Sequence, residues 1–484
     1  MIKPDEIANA MRGVWEIFND VGEASDFLDF AMTMLLWKYL SDSRGLDPHN
    51  RTEEHYVVPP AAHFSTVFVS KNQTGNGERI DAALRMLEKH NVGLEGLFSG
   101  ISFKSVKLGN VEQKEHVLRR LLEAFNTSAL DFRGDPCTAA EAASYACDVL
   151  LWRLSELRGR KIGEPSTPPE ICRLIARLMQ PKETDEISDP CCGSGSLLIS
   201  CGQFARQNSG MVTYKLFGQE KNGSTWALCK MNMILHGEAR SELIWGDTLR
   251  DPAFVADDGS LRRFDVVVSN PPISLKEWGQ EVAERDRYQR FRRGVPPRTS
   301  SDYAFISHMV ESLKPGSGRM AAIVSLGVLF RSGAEQQIRK KLLEENLIDA
   351  VVVLPAKMFT HTGIPFAILI IRHSRADQDI LFIDASRSFQ HGKTHNVLRA
   401  EDSDRICNSY IQRKDIDGYV RKVGRAEILE NDCNLTVARY VSALEGMEEE
   451  LDLTAIRAER AQLQTELLRL EEKLVSLREW SGFT

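Results

Sequence analysis

The sequence predicts a doubly wound α/β fold for the middle of the chain, preceded by an all-α region and followed by a coiled-coil helix. Three observations support this fold class. Strand-like and helix-like segments alternate from residue 161 to residue 442, apolar residues recur at helical spacing before residue 160, and leucines recur at heptad spacing after residue 443. We therefore divide the chain into residues 1–160, 161–442 and 443–484.

The first region, residues 1–160, is expected to form an all-α domain. Ile7, Met11 and Val14 follow three- and four-residue steps, and similar spacing returns between residues 27 and 39. No residue pattern in this region points to a chemical activity. A polar, glycine-containing connector at residues 158–163 marks its end.

The second region, residues 161–442, alternates short β-branched runs with helical segments, which is typical of a largely parallel sheet covered by helices. The run at residues 264–268, before Ser269, is apolar apart from Asp265 and ends in three valines, so we expect an inner strand that is buried on both faces. The predicted strands span residues 186–188, 214–218, 243–245, 264–268, 319–325, 348–354, 366–371 and 380–383.

The third region, residues 443–484, is expected to be one helix with an apolar seam. Its apolar positions alternate three- and four-residue steps, which favours a coiled coil with another chain over an intramolecular helix pair. A helix over the seam would be about 37 Å long. The seam consists of Leu453, Ile456, Leu463, Leu467, Leu470, Leu474 and Leu477, interrupted by Arg460.

Composition excludes several classes of protein. Hydrophobic residues make up 42% of the chain and charged residues 27%, which is ordinary for a globular protein in water. Apolar runs such as residues 31–36 are far shorter than the roughly 20 residues of a membrane span, and no apolar leader follows Met1. Nine cysteines without a Cys-x-x-Cys pair favour reduced thiols and no zinc site. We expect a cytoplasmic protein.

The net charge of −7 limits how the chain could bind nucleic acid. A protein that held DNA unaided would usually be basic, so either its basic surface is local or a partner supplies most of the phosphate contacts. A stretch of arginines with interleaved aromatics at residues 285–298 is one candidate for phosphate contacts. A solvated charged loop is the equal alternative, because Glu281, Glu284 and Asp286 dilute the positive charge.

The strand at residues 264–268 is followed directly by Ser269-Asn270-Pro271-Pro272-Ile273. The two prolines end the strand and fix a corner that contributes no N–H donors. The Asn270 side-chain oxygen and the Pro271 carbonyl could each accept a hydrogen from an –NH₂ group, which would aim the nitrogen lone pair at an electrophilic methyl. The alternative is a simple strand-ending turn.

Three acidic residues follow three upstream strands in order. Asp189 opens Asp189-Pro190-Cys191-Cys192-Gly193-Ser194-Gly195, whose glycines let a ligand approach the backbone closely. The full Gly-x-Gly-x-x-Gly pattern is absent, so phosphate binding is not required. Asp189 suits a cationic ligand group, Glu220 suits ribose hydroxyls, and Asp247 could accept from an adenine amine. Each acid alone could instead be a helix cap.

With these motifs in view, the chain resembles the modification (M) subunit of a type I restriction-modification system, in the N6-adenine DNA methyltransferase family. The likeness covers nearly the whole length and extends to residues 301–306, 329–335, 354–355 and 362–365. It implies a Rossmann-like S-adenosylmethionine-dependent methyltransferase domain. The implied contacts to S-adenosylmethionine are Thr167, Asp189, Pro190, Gly193, Ser194, Gly195, Glu220, Asp247 and Leu249.

The same resemblance assigns the acceptor corner and the partners. Asn270, Pro271, Pro272 and Ile273 would hold an adenine flipped out of duplex DNA. The DNA sequence would be read by a specificity (S) subunit, in a complex with a second M subunit and, for cleavage, a restriction (R) subunit. No metal is implied, and the His391-x-x-x-His395 spacing encloses a glycine and lacks an acid.

The sequence departs from the family pattern at two places. Ile273 stands where the family has an aromatic residue that stacks on the base, which forfeits about 1–3 kcal/mol unless Phe359 or Phe366 replaces it. Thr167 is retained from the family's Phe-Tyr-Thr-Pro, but the two aromatics before it are not. The departure at Ile273 keeps one alternative open, a weakly catalytic cofactor-binding scaffold. A second alternative is methylation of RNA or of protein glutamine, because Asn-Pro-Pro also serves those amines.

Overall fold

The computed structural model describes residues 3–22, 27–43, 56–157, 167–209, 213–359, 362–392 and 395–441 of the 484-residue chain. The C-terminal leucine seam and both predicted region boundaries, near residues 160 and 442, lie outside these ranges. The division into three regions and the coiled coil therefore stay predictions.

The described part of residues 1–157 is helical, as the apolar spacing predicts. Apolar side chains from successive helices form one buried cluster, which includes Met11, Trp37, Leu84, Leu121 and Leu150. The helices are α1 (Pro4–Asn19), α2 (Leu28–Asp42), α3 (Phe64–Val69), α4 (Asn76–His90), α5 (Val111–Phe125) and α6 (Pro136–Leu157).

The rest of the described chain forms one sheet with helices between its strands. The strands are β1 (Glu186–Asp189), β2 (Lys215–Glu220), β3 (Glu242–Trp245), β4 (Val266–Ser269), β5 (Arg319–Ser325), β6 (Ile348–Val353), β7 (Phe366–Arg372), β8 (Ile380–Asp384) and β9 (Val420–Val423). The helices are α7 (Pro169–Met179), α8 (Ser196–Ser209), α9 (Gly223–Leu235), α10 (Gln280–Ala283), α11 (Asp302–Glu311), α12 (Ala334–Glu344), α13 (Ala400–Gln412) and α14 (Arg425–Glu430).

The strand order is β3-β2-β1-β4-β5-β7-β6-β8-β9. Neighbouring strands from β3 to β5 are parallel, so β4 is the buried inner strand that the sequence predicts. Strand β7 is antiparallel to both β5 and β6. Parallel neighbours are usually joined by a crossover helix, and the described residues between β6 and β7 contain none.

The strand boundaries differ from the predicted ones at several points. Strand β4 begins at Val266, because Phe264 instead packs against Phe217 and Phe254 beside the sheet. Strand β2 runs two residues beyond the predicted end, to Glu220. The short strand β9 is absent from the prediction because its four residues include two charged ones, Arg421 and Lys422, which weaken the apolar signal.

Helix α9 packs against the sheet on one side and against the helical region on the other. Cys229 and Met233 lie in the cluster that also contains β1 and β4 side chains. Leu228, Met231 and Leu235 lie instead in the cluster of the helical region. The helical region and the sheet therefore share this helix. None of the helices in the described part of the chain is both long and apolar enough to cross a lipid bilayer.

Candidate functional site

The strand order reverses at β1, with β2 on one side and β4 on the other. In open α/β sheets, ligands bind at the carboxyl ends of the strands at such a switch point. Asp189 ends β1 and Ser269 ends β4. The Ser269 hydroxyl donates to Asp189 Oδ1 over 2.7 Å, so the predicted cofactor loop and the predicted acceptor corner meet there.

Asp189 is buried, with 1% of its surface exposed. Its Oδ1 also accepts from the Cys191 backbone N–H over 3.0 Å. Burial raises the pKa of this carboxyl to about 7, although both hydrogen bonds favour the charged form. Asp189 is therefore poised to change charge near neutral pH, and a cationic ligand group beside it would favour the carboxylate.

The loop after Asp189 has the open backbone that its glycines predict. Gly193 and Gly195 have φ values of +54° and +83°, and no atom lies within 4 Å of where a Cβ on Gly193 would be. The Gly193 N–H donates to Glu220 Oε2 over 3.1 Å, and the Asn222 N–H donates to Glu220 Oε1 over 2.8 Å. Glu220 thus joins the glycine loop to the turn before α9.

Asn232, on α9, is a residue that the sequence analysis did not select. Its side chain is 1% exposed, and its amide donates to the Ser194 carbonyl in the glycine loop over 2.7 Å. The Cys147 thiol of α6 donates to Asn232 Oδ1 over 3.1 Å. One buried side chain therefore connects the helical region with the glycine loop. A single asparagine within an apolar helix offers no sequence signal for this role.

Asp247 lies in the turn after β3. Its Oδ1 accepts from the Leu249 and Arg250 N–H groups over 3.1 and 3.3 Å, and its Oδ2 pairs with Lys221 at 2.8 Å. The Thr248 hydroxyl donates to the Pro190 carbonyl. Asp247 and Leu249 therefore belong to a loop that is tied to the Asp189 loop, as the predicted cofactor site requires.

Asn270 begins the acceptor corner directly after β4. Its side-chain amide donates to the Thr167 hydroxyl over 3.0 Å, which joins two residues predicted from separate motifs. Because the NH₂ end faces Thr167, the oxygen occupies the other arm of the amide. The Ser301 hydroxyl donates to the Pro272 carbonyl over 3.4 Å. Ile273 is 37% exposed at the tip of the corner.

Neither aromatic suggested as a replacement for Ile273 is available. Phe359 and Phe366 are 2% and 3% exposed, and their rings pack against each other at 4.6 Å. The suggestion was wrong because both side chains belong to the apolar core beneath the sheet edge.

Phe330, after β5, is instead 52% exposed. Its neighbour Arg331 contacts Ser274 Oγ at 3.4 Å and pairs with Asp302 at 2.8 Å. The Ser274 N–H donates to the same Asp302 over 3.2 Å. These bonds place an exposed aromatic on a loop fastened to the acceptor corner. Phe330 directly follows a short 3₁₀ helix, Leu326–Leu329, at the end of β5, and its position a few residues beyond the strand was the signal that the sequence analysis could have used.

The arginine stretch is mostly structural. Arg290 and Arg293 are each 2% exposed, so neither can contact a phosphate. Arg293 pairs with Glu311 and Glu345 at 2.6 Å, and Arg298 pairs with Glu277 at 2.9 Å. The phosphate-binding prediction is wrong for the two buried arginines, because carboxylates neutralise both: Asp286, four residues away, pairs with Arg290, and the distant Glu311 and Glu345 pair with Arg293.

The cysteines and possible metal ligands add no chemistry of their own. All nine cysteines are free thiols. Cys191 Sγ contacts Ser269 Oγ at 2.9 Å, and Cys192 is buried against Cys229. Across the described ranges, His, Cys, Asp and Glu side chains nowhere gather in the groups of three that could hold a metal ion.

The N-6 DNA methylase family model matches residues 141–449. The chain belongs to this family. The matched residues include the glycine loop, all three strand-end carboxylates and the acceptor corner, so the family assignment and the geometry concern the same part of the molecule.

Two methylase subunits of type I restriction enzymes are similar to this chain over most of its length. The chain is 30% identical to the methylase subunit of the type I restriction enzyme MpnII from Mycoplasma pneumoniae, over 92% of the chain and 91% of that protein. It is 33% identical to the MjaVIII methylase subunit from Methanocaldococcus jannaschii, over 80% of the chain and 67% of that protein.

A solved structure supports the same conclusion. The type I restriction-modification methyltransferase subunit from Streptococcus thermophilus superposes with a TM-score of 0.80 at 29% identity, covering 91% of this chain and 100% of that one. This likeness and the strand order confirm the predicted Rossmann-like methyltransferase fold, and the N-terminal region is helical as predicted. The chain is thus a methyltransferase of the type I modification-subunit kind.

Proposed function

We propose that this chain transfers a methyl group from S-adenosylmethionine to N6 of adenine in duplex DNA, as the modification (M) subunit of a type I restriction-modification system. The observation that carries the proposal is the 2.7 Å hydrogen bond between Ser269 and Asp189. It joins an acceptor corner suited to an amine with a loop suited to a cationic cofactor.

The chain's residues fit the cofactor in three places. Asp189 would pair with the ammonium of S-adenosylmethionine, Glu220 with ribose hydroxyls, and Asp247 with the adenine amine, while Leu249 lines the same loop. Pro190, Gly193, Ser194 and Gly195 supply the loop backbone, which is open where Gly193 lacks a Cβ. When bound, S-adenosylmethionine supplies an electrophilic methyl group.

The acceptor corner would orient the target amine. Asn270 Oδ1 and the Pro271 carbonyl accept the two N6 hydrogens, which directs the nitrogen lone pair away from the ring system. Thr167 holds the other arm of the Asn270 amide over 3.0 Å, so the oxygen is fixed in direction. The new N–C bond would form as the methyl C–S bond breaks, leaving S-adenosylhomocysteine, and the cationic nitrogen would then lose one proton to water. No strong base is required, because the nitrogen becomes cationic only as its new bond forms. The two acceptors stabilise that developing charge.

We also propose that DNA sequence recognition is delegated to a specificity (S) subunit, with a second M subunit in the complex and a restriction (R) subunit added for cleavage. The net charge of −7 and the carboxylate-paired arginines support this division of labour, because the chain has little positive charge to spare for phosphates. We also propose a cytoplasmic location, which the composition of the chain supports.

Transfer of a labelled methyl group to DNA tests the proposal directly. The chain would be assayed alone and with its co-purified S subunit, on duplexes with and without adenine, and the modified base identified by mass spectrometry. We expect N6-methyladenine only when both subunits and adenine are present. Label on cytosine, or none with the S subunit, would contradict the proposal.

A second candidate is a cofactor-binding scaffold with weak catalysis, favoured by the aliphatic Ile273 where an aromatic is expected. Cofactor binding without methyl transfer, in the presence of the S subunit, would select it. Label on RNA or on a glutamine side chain would instead select the remaining amine methyltransferases.

A further inference from the structure

Arg290 is buried under the cofactor side of the site, although it follows the acceptor corner in sequence. One of its terminal nitrogens donates to the Thr248 carbonyl and the other to the Leu249 carbonyl, each over 2.9 Å. These are the two residues directly after Asp247. The guanidinium therefore holds the backbone of the loop assigned to the cofactor's adenine.

The charge of Arg290 is compensated where it lies. Asp286 Oδ1 accepts from Nε and Nη2 over 3.0 and 2.8 Å, and Asp286 Oδ2 accepts from the Arg290 backbone N–H over 2.7 Å. His308 Nδ1 lies 3.3 Å from Nη1. Burial and the adjacent cation lower the pKa of His308 well below its usual range, so this imidazole is neutral and can accept.

The segment that carries Arg290 follows the acceptor corner in sequence and is closed on itself at its base. The Glu277 N–H donates to the Arg298 carbonyl over 3.1 Å, and the Trp278 indole N–H donates to the Pro297 carbonyl over 3.0 Å. Trp278 and Phe291 also pack with Leu249 in one buried apolar cluster. Residues 277–298 thus form a closed loop, here called the brace, between the corner and the Asp247 loop.

We propose that Arg290 is a positioning residue for S-adenosylmethionine, which acts by fixing the Thr248 and Leu249 carbonyls and so the direction of Asp247. A planar guanidinium suits this task, because two of its N–H groups serve two adjacent carbonyls while two others bind the Asp286 carboxylate and one faces His308 Nδ1. A lysine ammonium would keep the charge beside Asp286 but lack the fixed fork. The inference rests on the proposed cofactor.

Substitution of Arg290 by lysine tests this role, and Arg293→Lys is the matched control. Both arginines are 2% exposed and carboxylate-paired, but Arg293 bonds only to Glu311 and Glu345 among its recorded partners in the described structure. S-adenosylhomocysteine binding would be measured by titration calorimetry on the full chain, alongside thermal unfolding. We expect about tenfold weaker binding for Arg290→Lys, from one lost carbonyl hydrogen bond, and less than twofold weakening for Arg293→Lys.

A kinetic measurement separates positioning from general loss of structure. With the S subunit and DNA present, Arg290→Lys should raise KM for S-adenosylmethionine about tenfold while kcat at saturation stays within twofold. Equal effects of the two substitutions on binding, or a fall in kcat alone, would overturn the inference.

If Arg290→Lys does not fold, binding of S-adenosylhomocysteine to Asp286→Asn is measured instead. This substitution removes the charge that holds the guanidinium in place but keeps all of the guanidinium's N–H donors. Unchanged binding in Asp286→Asn would then overturn the inference.

The two proposals fail in different ways. If the unsubstituted chain binds S-adenosylhomocysteine with the expected dependence on Arg290 but methylates no DNA with its S subunit, the positioning role stands and the DNA function falls. If the unsubstituted chain binds no S-adenosylhomocysteine, both the proposed cofactor and the role of Arg290 are wrong.

Discussion

The Ser269 hydroxyl donates to Asp189 Oδ1 over 2.7 Å, across the point where the strand order reverses. This bond spans 80 residues of sequence and joins the ends of two adjacent parallel strands. It makes the charge of the Asp189 carboxyl dependent on the strand that leads into the acceptor corner.

Cofactor affinity is expected to rise with pH through neutrality. The pKa of Asp189 is raised to about 7 by burial, so below that pH the residue is largely neutral and cannot pair with the cofactor ammonium. Calorimetric titration with S-adenosylhomocysteine between pH 6 and 8 should show tighter binding at higher pH and release of a proton. Ser269→Ala should move the midpoint upward, and Asp189→Asn should abolish the dependence.

The raised pKa of Asp189 also makes the stability of the folded chain depend on pH, and this stability falls as the pH rises. The folded-state pKa lies above the ordinary 3.8, so protonated Asp189 favours the folded chain. Its contribution is complete below pH 3.8 and declines as the pH rises to about 7. In cofactor-free protein, Asp189→Asn should therefore remove this decline, which denaturant unfolding at several pH values would detect.

Asn270→Ala is expected to abolish most methyl transfer while leaving cofactor binding intact. The substitution removes one of two acceptors for the target amine, and such oriented groups contribute about 10²- to 10³-fold to rate. Single-turnover methylation with the S subunit present measures the loss. Thr167→Val, which removes only the hydroxyl facing the Asn270 amide, should give a smaller decrease. Full activity of Asn270→Ala would refute the assigned role of the corner.

Phe330→Ala is expected to weaken methylation by about tenfold or more, because base–aromatic stacking contributes about 1–3 kcal/mol. Phe330 is 52% exposed and follows a strand that ends beside the corner. Ile411→Ala, at a residue that is 60% exposed on α13, is the control for loss of an exposed apolar side chain. If Ile273→Tyr increased the rate of methylation by a similar factor, the tip of the corner would also contact the base.

Gly195→Ala is expected to damage the cofactor loop. A Cβ there would lie 2.8 Å from Cys229 Sγ, and φ is +83°, which alone costs about 1–2 kcal/mol for an L residue. Gly316→Ala isolates the backbone cost, because φ is +74° and no atom lies within 4 Å of the added carbon. The midpoint temperature of thermal unfolding should fall for both variants, whereas cofactor affinity should fall for Gly195→Ala only.

Much of this architecture follows from local sequence. A buried apolar run followed by Asn-Pro-Pro identifies an inner strand and its carboxyl end, and three acids after three strands identify one edge of the sheet. Helical spacing likewise predicts the N-terminal helices. These features could be predicted from one sequence because each depends only on residues that are close together in the chain.

Other features depend on contacts between distant residues. Whether Arg290 faces phosphate or protein is decided by Asp286 and by two carbonyls some 40 residues away. The burial of Phe359 depends on Phe366, and the exposure of Phe330 depends on the loop in which it lies. Periodicity contains no information about such pairings, so the sequence analysis misjudged both the arginines and the stacking candidates.

Helix α9 lies within the sheet region of the sequence, but several of its apolar side chains pack in the core of the helical region. A fragment that began at residue 167 would expose Leu228, Met231 and Leu235 to water, so we expect it to be less stable and less soluble than the whole chain. Asn232 also bonds both Cys147 of α6 and the Ser194 carbonyl of the glycine loop. We therefore expect a partner that displaces α6 to change the position of the glycine loop through this one side chain.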